Sequence, residues 1–134
     1  HRLLYNYALV LADMGEHQES LDILGTLNAL TNYRNSKYLK ALAGVGAASG
    51  QWEIAREHWK MIVSLDPLDR EIRKLLVASY SDAALYEEAY ATVMKAYQLN
   101  LFDAWLFDQL IVLTEKMERD EERRSWMTIR SSFP

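Results

Sequence analysis

The chain has 134 residues, half of them apolar and a quarter charged, with a net charge of −4. This composition excludes a disordered chain, and the acidic balance argues against a nucleic-acid-binding surface, which normally carries a basic excess. There is no cysteine, which excludes disulfides, thiolate metal sites and cysteine nucleophiles. Because only five glycines and two prolines are present, we expect helices rather than a many-turned β fold.

Eight helices joined by short turns are predicted from the apolar spacing and the positions of the breakers. In chain order they cover residues 2–14, 18–30, 36–49, 52–64, 69–82, 86–98, 102–117 and 120–131. The segment 31–35 is the expected irregular linker, and Asn100 and Asp103 are the expected caps beside the seventh helix. No apolar run has the length of a membrane span, and no signal-peptide pattern is visible.

The chain starts at His1 without Met, and the helical pattern begins at once. We therefore expect this sequence to be part of a longer protein. The absence of cysteine fits both the cytoplasm and the periplasm, and of the two we expect the cytoplasm.

A short pattern recurs where one predicted helix ends and the next begins. A small residue is followed two positions later by an aromatic residue or His, and three positions after that by another small residue. The first small residue lets the chain turn sharply, and the second lets two helix backbones approach closely. Copies lie 35 and then 34 positions apart, as Gly15-His17-Ser20, Gly50-Trp52-Ala55 and Ala84-Tyr86-Ala89. Such a period predicts stacked helical hairpins.

The repeat resembles the tetratricopeptide repeat family. The best copy matches at Leu39, Leu42, Ala43, Gly50, Trp52, Ala55, Trp59 and Pro67. The copy before it matches at Ala8, Leu11, Gly15, Ser20 and Leu24. The copy after it matches at Leu76, Tyr80, Tyr86, Ala89 and Ala96, but has Leu101 where the family favours Pro.

The resemblance implies an all-α fold, a right-handed α-α superhelix of antiparallel helical hairpins. One domain is expected over 1–134, with repeats at about 1–35, 36–69 and 70–103 and a capping hairpin at 104–134. The last hairpin has Glu118, Asp120 and Arg123 where the family has small and aromatic residues. This departure suits a terminal repeat, which must present a polar outer face.

Residues with catalytic or metal-binding chemistry form no recognisable motif in this sequence. Asp13 and His17 have the spacing of two metal ligands on one helix, but Gly15 interrupts the helix between them, so His17 is expected to pack instead. His58 is expected to be exposed. The pair Glu87 and Glu88 and the mixed-charge run 115–124 are interpreted as solvated faces with weak ion pairs. We therefore expect no enzyme activity, no cofactor and no metal.

The aromatic residues are mostly explained by packing. Trp52, Trp59, Tyr80 and Tyr86 fall on core positions of the repeat, whereas Trp105 and Trp126 do not. Trp105 is either an exposed anchor for a partner or a residue buried against the last helix.

By the resemblance, the first helix of every pair lines a concave groove. The first copy would contribute Arg2, Tyr5, Asn6 and Asp13, and the second Lys37, Lys40, Ala41, Gly44, Ala47 and Ala48. The third would contribute Glu71, Lys74, Leu75, Ala78 and Asp82, and the fourth Trp105, Asp108, Gln109 and Val112.

Two features of this predicted groove point to a bound peptide or helix. Lys37, Lys40 and Lys74 would form a positive spot for a carboxylate, or else be separately solvated. The small residues would leave an open floor for an inserted segment, or else serve close packing between repeats. The floor residues are Gly44, Ala47, Ala48 and Ala78.

The predicted function is that of a scaffold or adaptor that binds a partner protein or peptide. The expected contacts are Asn6, Lys37, Lys40, Lys74, Trp105 and Gln109. One alternative is a regulatory or oligomerisation domain of a bacterial transcription factor. Another is a self-assembling scaffold, in which a second copy of the chain is the partner. Nucleic acid is not an expected partner of this domain.

Overall fold

The computed structural model describes residues 1–134 and contains eight α-helices and no strand. In chain order these are α1 (Arg2–Asp13), α2 (His17–Leu30), α3 (Ser36–Ala48), α4 (Trp52–Leu65), α5 (Arg70–Asp82), α6 (Tyr86–Gln98), α7 (Ala104–Lys116) and α8 (Asp120–Ser131). Every boundary lies within two residues of the predicted one, so the predicted helices are confirmed. None of these helices is both long enough and apolar enough to cross a membrane.

The chain divides into two compact units, residues 1–67 and residues 68–134. In the first unit α1 packs on α2, α2 on α3 and α3 on α4. In the second, α5 packs on α6, α6 on α7 and α7 on α8. Each unit is therefore two consecutive helical hairpins.

The four hairpin turns share one backbone arrangement. Just after the first helix of each pair a residue adopts positive φ, namely Gly15, Gly50, Ala84 or Glu118. The N–H of the next residue donates to the carbonyl oxygen five positions earlier, at 2.7–2.8 Å in all four turns. This pattern is the Schellman motif, which satisfies the last carbonyl groups of the helix. The fourth turn keeps it although Glu118 carries a large side chain.

Side-chain caps start three of the first helices. Asn35, Asp69 and Asp103 each accept a hydrogen bond from a backbone N–H three positions on, at 3.2, 3.0 and 2.8 Å. The predicted cap at Asp103 is thereby confirmed. Asn100 was predicted as a cap beside α7, but it lies at the other end of the same linker. Its backbone φ of 62° ends α6.

The core of the first unit joins α2 to both of its neighbours. Ser20 Oγ donates to the carbonyl oxygen of Ala8 at 2.7 Å, which fixes the close approach of α1 and α2. Asn28 Nδ2 donates to the carbonyl oxygen of Tyr38 at 3.1 Å, which ties α2 to α3. Around these bonds lies one apolar cluster, formed by Ala8, Leu21, Leu24, Leu27, Tyr38, Leu42 and Val45.

In the second unit, aromatic rings hold the last helices together. We call these five residues the aromatic cluster: Tyr97, Phe102, Phe107, Trp126 and Phe133. The ring centroid of Trp126 on α8 lies 5.2 Å from that of Tyr97 on α6, edge to face. Phe133 lies 5.2 Å from Phe107 on α7. Such offset and edge-to-face pairs add to the energy of apolar burial.

Two predictions about side-chain exposure are wrong. His58 is buried rather than exposed, with Nδ1 2.7 Å from the carbonyl oxygen of Ile54. Among its neighbours is Tyr33 of the 31–35 linker, whose ring centroid lies 6.2 Å from that of the imidazole. Trp52 is 47% exposed rather than buried, because it is the first residue of α4. Trp59, two turns further along the helix, fills the core instead.

Candidate functional site

In the first unit, α1 and α3 present the predicted groove residues on an accessible face. Asn6, Lys37 and Lys40 are all exposed. Lys37 Nζ lies 4.6 Å from the centroid of the Tyr5 ring. Tyr5 in turn packs against the buried Tyr38, with 5.4 Å between centroids. The ammonium group is thus attracted to an aromatic face that the core holds in place.

The glycines of α3 differ in what surrounds them. A Cβ at Gly46 would lie 3.1 Å from Ile54 Cγ2 and 3.3 Å from the backbone nitrogen of Ala55, so this glycine permits the close approach of α3 and α4. A Cβ at Gly44 would meet nothing within 4 Å. Gly44 and Ala48 are both exposed. Close packing therefore accounts for Gly46, and the surface beside Lys37 and Lys40 is open at Gly44.

In the second unit, α5 and α7 repeat the arrangement of a lysine over an aromatic ring. Lys74 Nζ lies 5.5 Å from the centroid of the Trp105 ring, and both side chains are half-buried. Beside them Arg70 Nη1 donates to Asp103 Oδ2 at 3.1 Å. Gln109, one turn along α7, is also half-buried. A small depression lies beside Lys74 and Trp105 and is lined by Arg70, Arg73, Lys74, Ala96, Leu101, Asp103 and Trp105.

Arg73, which sequence reasoning did not single out, is a buried cation beside this depression. Its side chain is 3% exposed, and Nη1 donates to the carbonyl oxygen of Thr92 at 3.1 Å. Burial lowers the pKa of the guanidinium, and the charge of Asp69 opposes this effect. The available signal was its place among the buried positions of α5, at the spacing of residues 73, 76, 77 and 80.

Each unit therefore brings one predicted lysine together with one aromatic residue. The predicted clustering of Lys37, Lys40 and Lys74 involves both units and stays a prediction. Asp108, also placed in the groove by sequence, accepts a hydrogen bond from Arg130 Nε of α8 at 2.9 Å.

The polar groups considered for catalysis take part in contacts between helices. Glu87 pairs with Arg119 at 2.6 Å, and Glu122 accepts a hydrogen bond from the Tyr90 hydroxyl at 2.8 Å. No group of three or more His, Asp or Glu side chains is placed to hold a metal ion. In each unit the first helices offer a lysine over an aromatic ring, beside exposed carboxylates such as Asp13 on α1 and Glu71 on α5.

By sequence, no family model and no curated protein matches the chain. By structure, the chain matches several solved proteins. A tetratricopeptide repeat protein from Parabacteroides merdae matches with a TM-score of 0.69 and 18% identity, over 98% of this chain and 51% of its own. MamA from Desulfovibrio magneticus RS-1 matches with a TM-score of 0.66 and 17% identity, over 96% and 72%.

The chain has the fold of tetratricopeptide-repeat proteins. A third match is the Yersinia enterocolitica type III secretion chaperone SycD, solved in complex with a peptide of the translocator YopD. It has a TM-score of 0.61 and 15% identity, over 92% of this chain and 93% of that one. The predicted all-helical hairpin fold is confirmed. At these identities the likeness concerns the fold, and this chain spans about half the length of the Parabacteroides protein.

Proposed function

We propose that the chain is a non-catalytic interaction module that binds an acidic peptide or helix of a partner protein. Each unit would have its own binding surface, the first-helix face, formed by α1 and α3 in residues 1–67 and by α5 and α7 in residues 68–134. The observation that carries this proposal is the lysine held over an aromatic ring in both units, Lys37 over Tyr5 and Lys74 over Trp105. The repeats at 1–35, 36–69 and 70–103 and the capping hairpin at 104–134 belong to the same proposal.

A lysine in this setting suits a carboxylate ligand. The aromatic ring attracts one side of the lysine ammonium group. The N–H donors on the other side of the ammonium group can reach a carboxylate oxygen of a ligand. In the second unit, buried Arg73 and half-buried Lys74 add positive charge near the Trp105 ring. An acidic side chain or a peptide C-terminus would therefore be favoured there.

Apolar contacts would supply the rest of the affinity. The exposed Gly44 and Ala48 leave room for a peptide backbone on α3. On α5 and α7, Leu75 and Val112 are 48% and 45% exposed, so they are available to apolar side chains of a ligand. The peptide bound to SycD supports the idea that this fold can hold a peptide of a partner protein. We expect ligands that combine acidic and apolar residues.

The test is a selection of peptides displayed on phage, followed by fluorescence anisotropy with the enriched peptides. The variant carries Lys37→Glu, Lys40→Glu and Lys74→Glu. We expect at least about tenfold weaker binding, equivalent to about 1.4 kcal/mol. The matched control carries Lys60→Glu, Lys95→Glu and Arg124→Glu, which reverse three exposed cations on the second helices α4, α6 and α8. It should bind within about twofold of the unmodified chain, since distant surface charges act weakly.

Two results would contradict the proposal. Equal weakening by both sets of substitutions would mean that overall charge, and not the first-helix face, governs binding. A selection that enriches no acidic peptide would contradict the proposal that the ligand is a carboxylate.

A further inference from the structure

The core of the first unit contains a buried amide with one unpaired polar atom. The Asn28 side chain on α2 is 0% exposed, and its Nδ2 donates to the carbonyl oxygens of Leu24 at 2.9 Å and Tyr38 at 3.1 Å. Because both neighbours are carbonyl oxygens, they fix the orientation of the amide, and its buried Oδ1 accepts no hydrogen bond. A buried acceptor without a partner lowers the stability of the fold. An apolar side chain at this position would avoid that cost.

The internal repeat shows that stacked hairpins do not need an amide at this position. In α4 the equivalent residue, 35 positions later, is the half-buried Val63. In α6 it is Tyr97, whose ring packs on Phe107 of α7 with 6.5 Å between centroids. Helix α6 thus contacts the following first helix through an aromatic ring, where α2 uses a hydrogen bond to α3. The asparagine therefore serves something other than the repeat architecture.

The hydrogen bond from Asn28 holds the first turn of α3. Tyr38 lies in that turn, and its backbone is held from two sides. Its N–H donates to the side chain of the cap Asn35 at 3.2 Å, and its carbonyl oxygen accepts from Asn28. Hydrogen bonds weaken steeply when they are bent, whereas apolar contact has no preferred direction. The amide therefore restricts rotation of this turn relative to α2 more than an apolar side chain would.

The same turn carries the lysine of the binding surface proposed for this unit. Lys37 precedes Tyr38, and its Nζ lies 4.6 Å from the centroid of the Tyr5 ring on α1. The Tyr38 ring packs against the other aromatic partner, Tyr5, with 5.4 Å between centroids. Attraction between an ammonium group and a ring requires the cation to lie over the ring face, within about 6 Å of its centroid. A rotation of the first turn of α3 would move Lys37 away from this place.

We propose that Asn28 is a positioning residue for the binding surface of the first unit. Its amide holds the first turn of α3 so that the Lys37 ammonium group stays over the Tyr5 ring, and the unpaired Oδ1 is the cost of that bond in stability. The consequence for a ligand rests on the proposed function, whereas the placement of Lys37 is measurable without a ligand. Removal of the amide should displace Lys37 and leave the fold intact.

Proton NMR of the full chain without ligand tests the placement. The Tyr5 ring should shift the ε-methylene protons of Lys37 upfield, and Tyr5→Leu provides the reference without that ring. In Asn28→Val and in Asn28→Ala, which both lack the amide, we expect the Lys37 signal to move towards this reference. The matched control is Thr114→Val, because Thr114 is also 0% exposed but donates within its own helix, to Leu110 at 2.6 Å. It should leave the Lys37 signal unchanged.

Urea unfolding of the same variants separates the amide from packing. Asn28→Val should keep or raise the urea midpoint, because it removes the unpaired acceptor. Asn28→Ala should lower the midpoint, because it leaves a cavity. An unchanged Lys37 signal in Asn28→Val, or a change confined to Asn28→Ala, would overturn the proposal, since packing and not the amide would then place the lysine.

Fluorescence anisotropy with an acidic peptide enriched in the selection tests the consequence for binding. All chains carry Lys74→Glu, so that the first unit dominates the signal. Asn28→Val should weaken binding at least about threefold when Lys37 is present and have no effect beside Lys37→Met, because residues that act through one another are not additive. Equal weakening in both backgrounds would overturn the proposal. Binding that does not depend on Lys37 at all would contradict the proposed function instead, and the NMR signal of Lys37 would still decide the role of Asn28.

Discussion

The first and last helices have the same length, 12 residues, and expose opposite kinds of surface. In α1, Ala8 and Leu11 are buried, and four large apolar side chains remain exposed. In α8 no residue is fully buried, yet Trp126 enters the aromatic cluster and Arg130 pairs with Asp108 of α7. The residue type at a repeat position therefore does not decide whether the position is core or surface. The presence of a neighbouring helix decides it.

The largest change in the free energy of unfolding is expected from alanine substitutions at a repeat position that is buried in one copy and exposed in another. Leu42 on α3 is 5% exposed, and its equivalent Tyr7 on α1 is 49% exposed. Leu42→Ala should lower the free energy of unfolding by about 3 kcal/mol, because it leaves a cavity among the α2 leucines. Tyr7→Ala should lower the free energy of unfolding by less than about 0.5 kcal/mol.

Urea unfolding at low protein concentration measures both values. Similar losses in the two variants would show that the Tyr7 side chain is covered in solution.

A smaller but clear effect is expected at α8. Trp126→Ala removes ring contacts to Tyr97 and Phe107, with centroids 5.2 and 6.3 Å away, and should lower the free energy of unfolding by about 2 kcal/mol. Its neighbour Met127, 47% exposed, provides the control, and Met127→Ala should change it by less than about 0.5 kcal/mol.

Thermal unfolding followed by circular dichroism compares the two. If both variants unfold at the same temperature as the unmodified chain, the aromatic cluster does not hold α8.

The sequence was sufficient for those parts of the fold that repeat. Gly15, Gly50 and Ala84 recur with one period and mark three of the four turns, and the helix ends follow from them. The fourth turn forms at Glu118, where the residue type gives no signal, because the backbone hydrogen bond from Arg119 to Thr114 is the same as in the other three. Because this hydrogen bond joins backbone groups, it does not require a particular side chain, and the sequence therefore does not reveal it.

Contacts that join unrelated positions could not be predicted in this way. The aromatic cluster consists of rings from α6, α7 and α8, from the linker before α7 and from the segment after α8. These five positions share no sequence spacing. Tyr5 and Lys37 were both assigned to the groove, but their pairing depends on the directions of two side chains on different helices. The buried His58 lies beside Tyr33 of an irregular linker. Periodicity carries no information about these three features.

The smallest expected change in the free energy of unfolding comes from a tyrosine hydrogen bond that holds α8 and has only a weak counterpart at α1. The Tyr90 hydroxyl on α6 donates to Glu122 Oε2 on α8 at 2.8 Å, whereas the Tyr7 hydroxyl on α1 lies 3.5 Å from Glu19 in an exposed contact. Burial, followed by the hydrogen bond to Glu122, raises the pKa of Tyr90, while Trp126 and Arg119 oppose the shift. Tyr90→Phe should lower the free energy of unfolding at pH 7 by at most about 0.5 kcal/mol.

The pH dependence gives the sharper test. Because the pKa of Tyr90 is higher in the folded chain than its unfolded value of about 10, the contribution is complete below that pH and is lost as the pH rises through the raised value. Urea midpoints measured from pH 7 to about 11 should therefore fall less steeply for Tyr90→Phe than for the unmodified chain, and Tyr7→Phe should follow the unmodified chain. Parallel profiles for all three proteins would mean that the Tyr90 contact does not help to hold α8, and its attachment would then rest on the aromatic cluster and the ion pairs of Arg119 and Arg130.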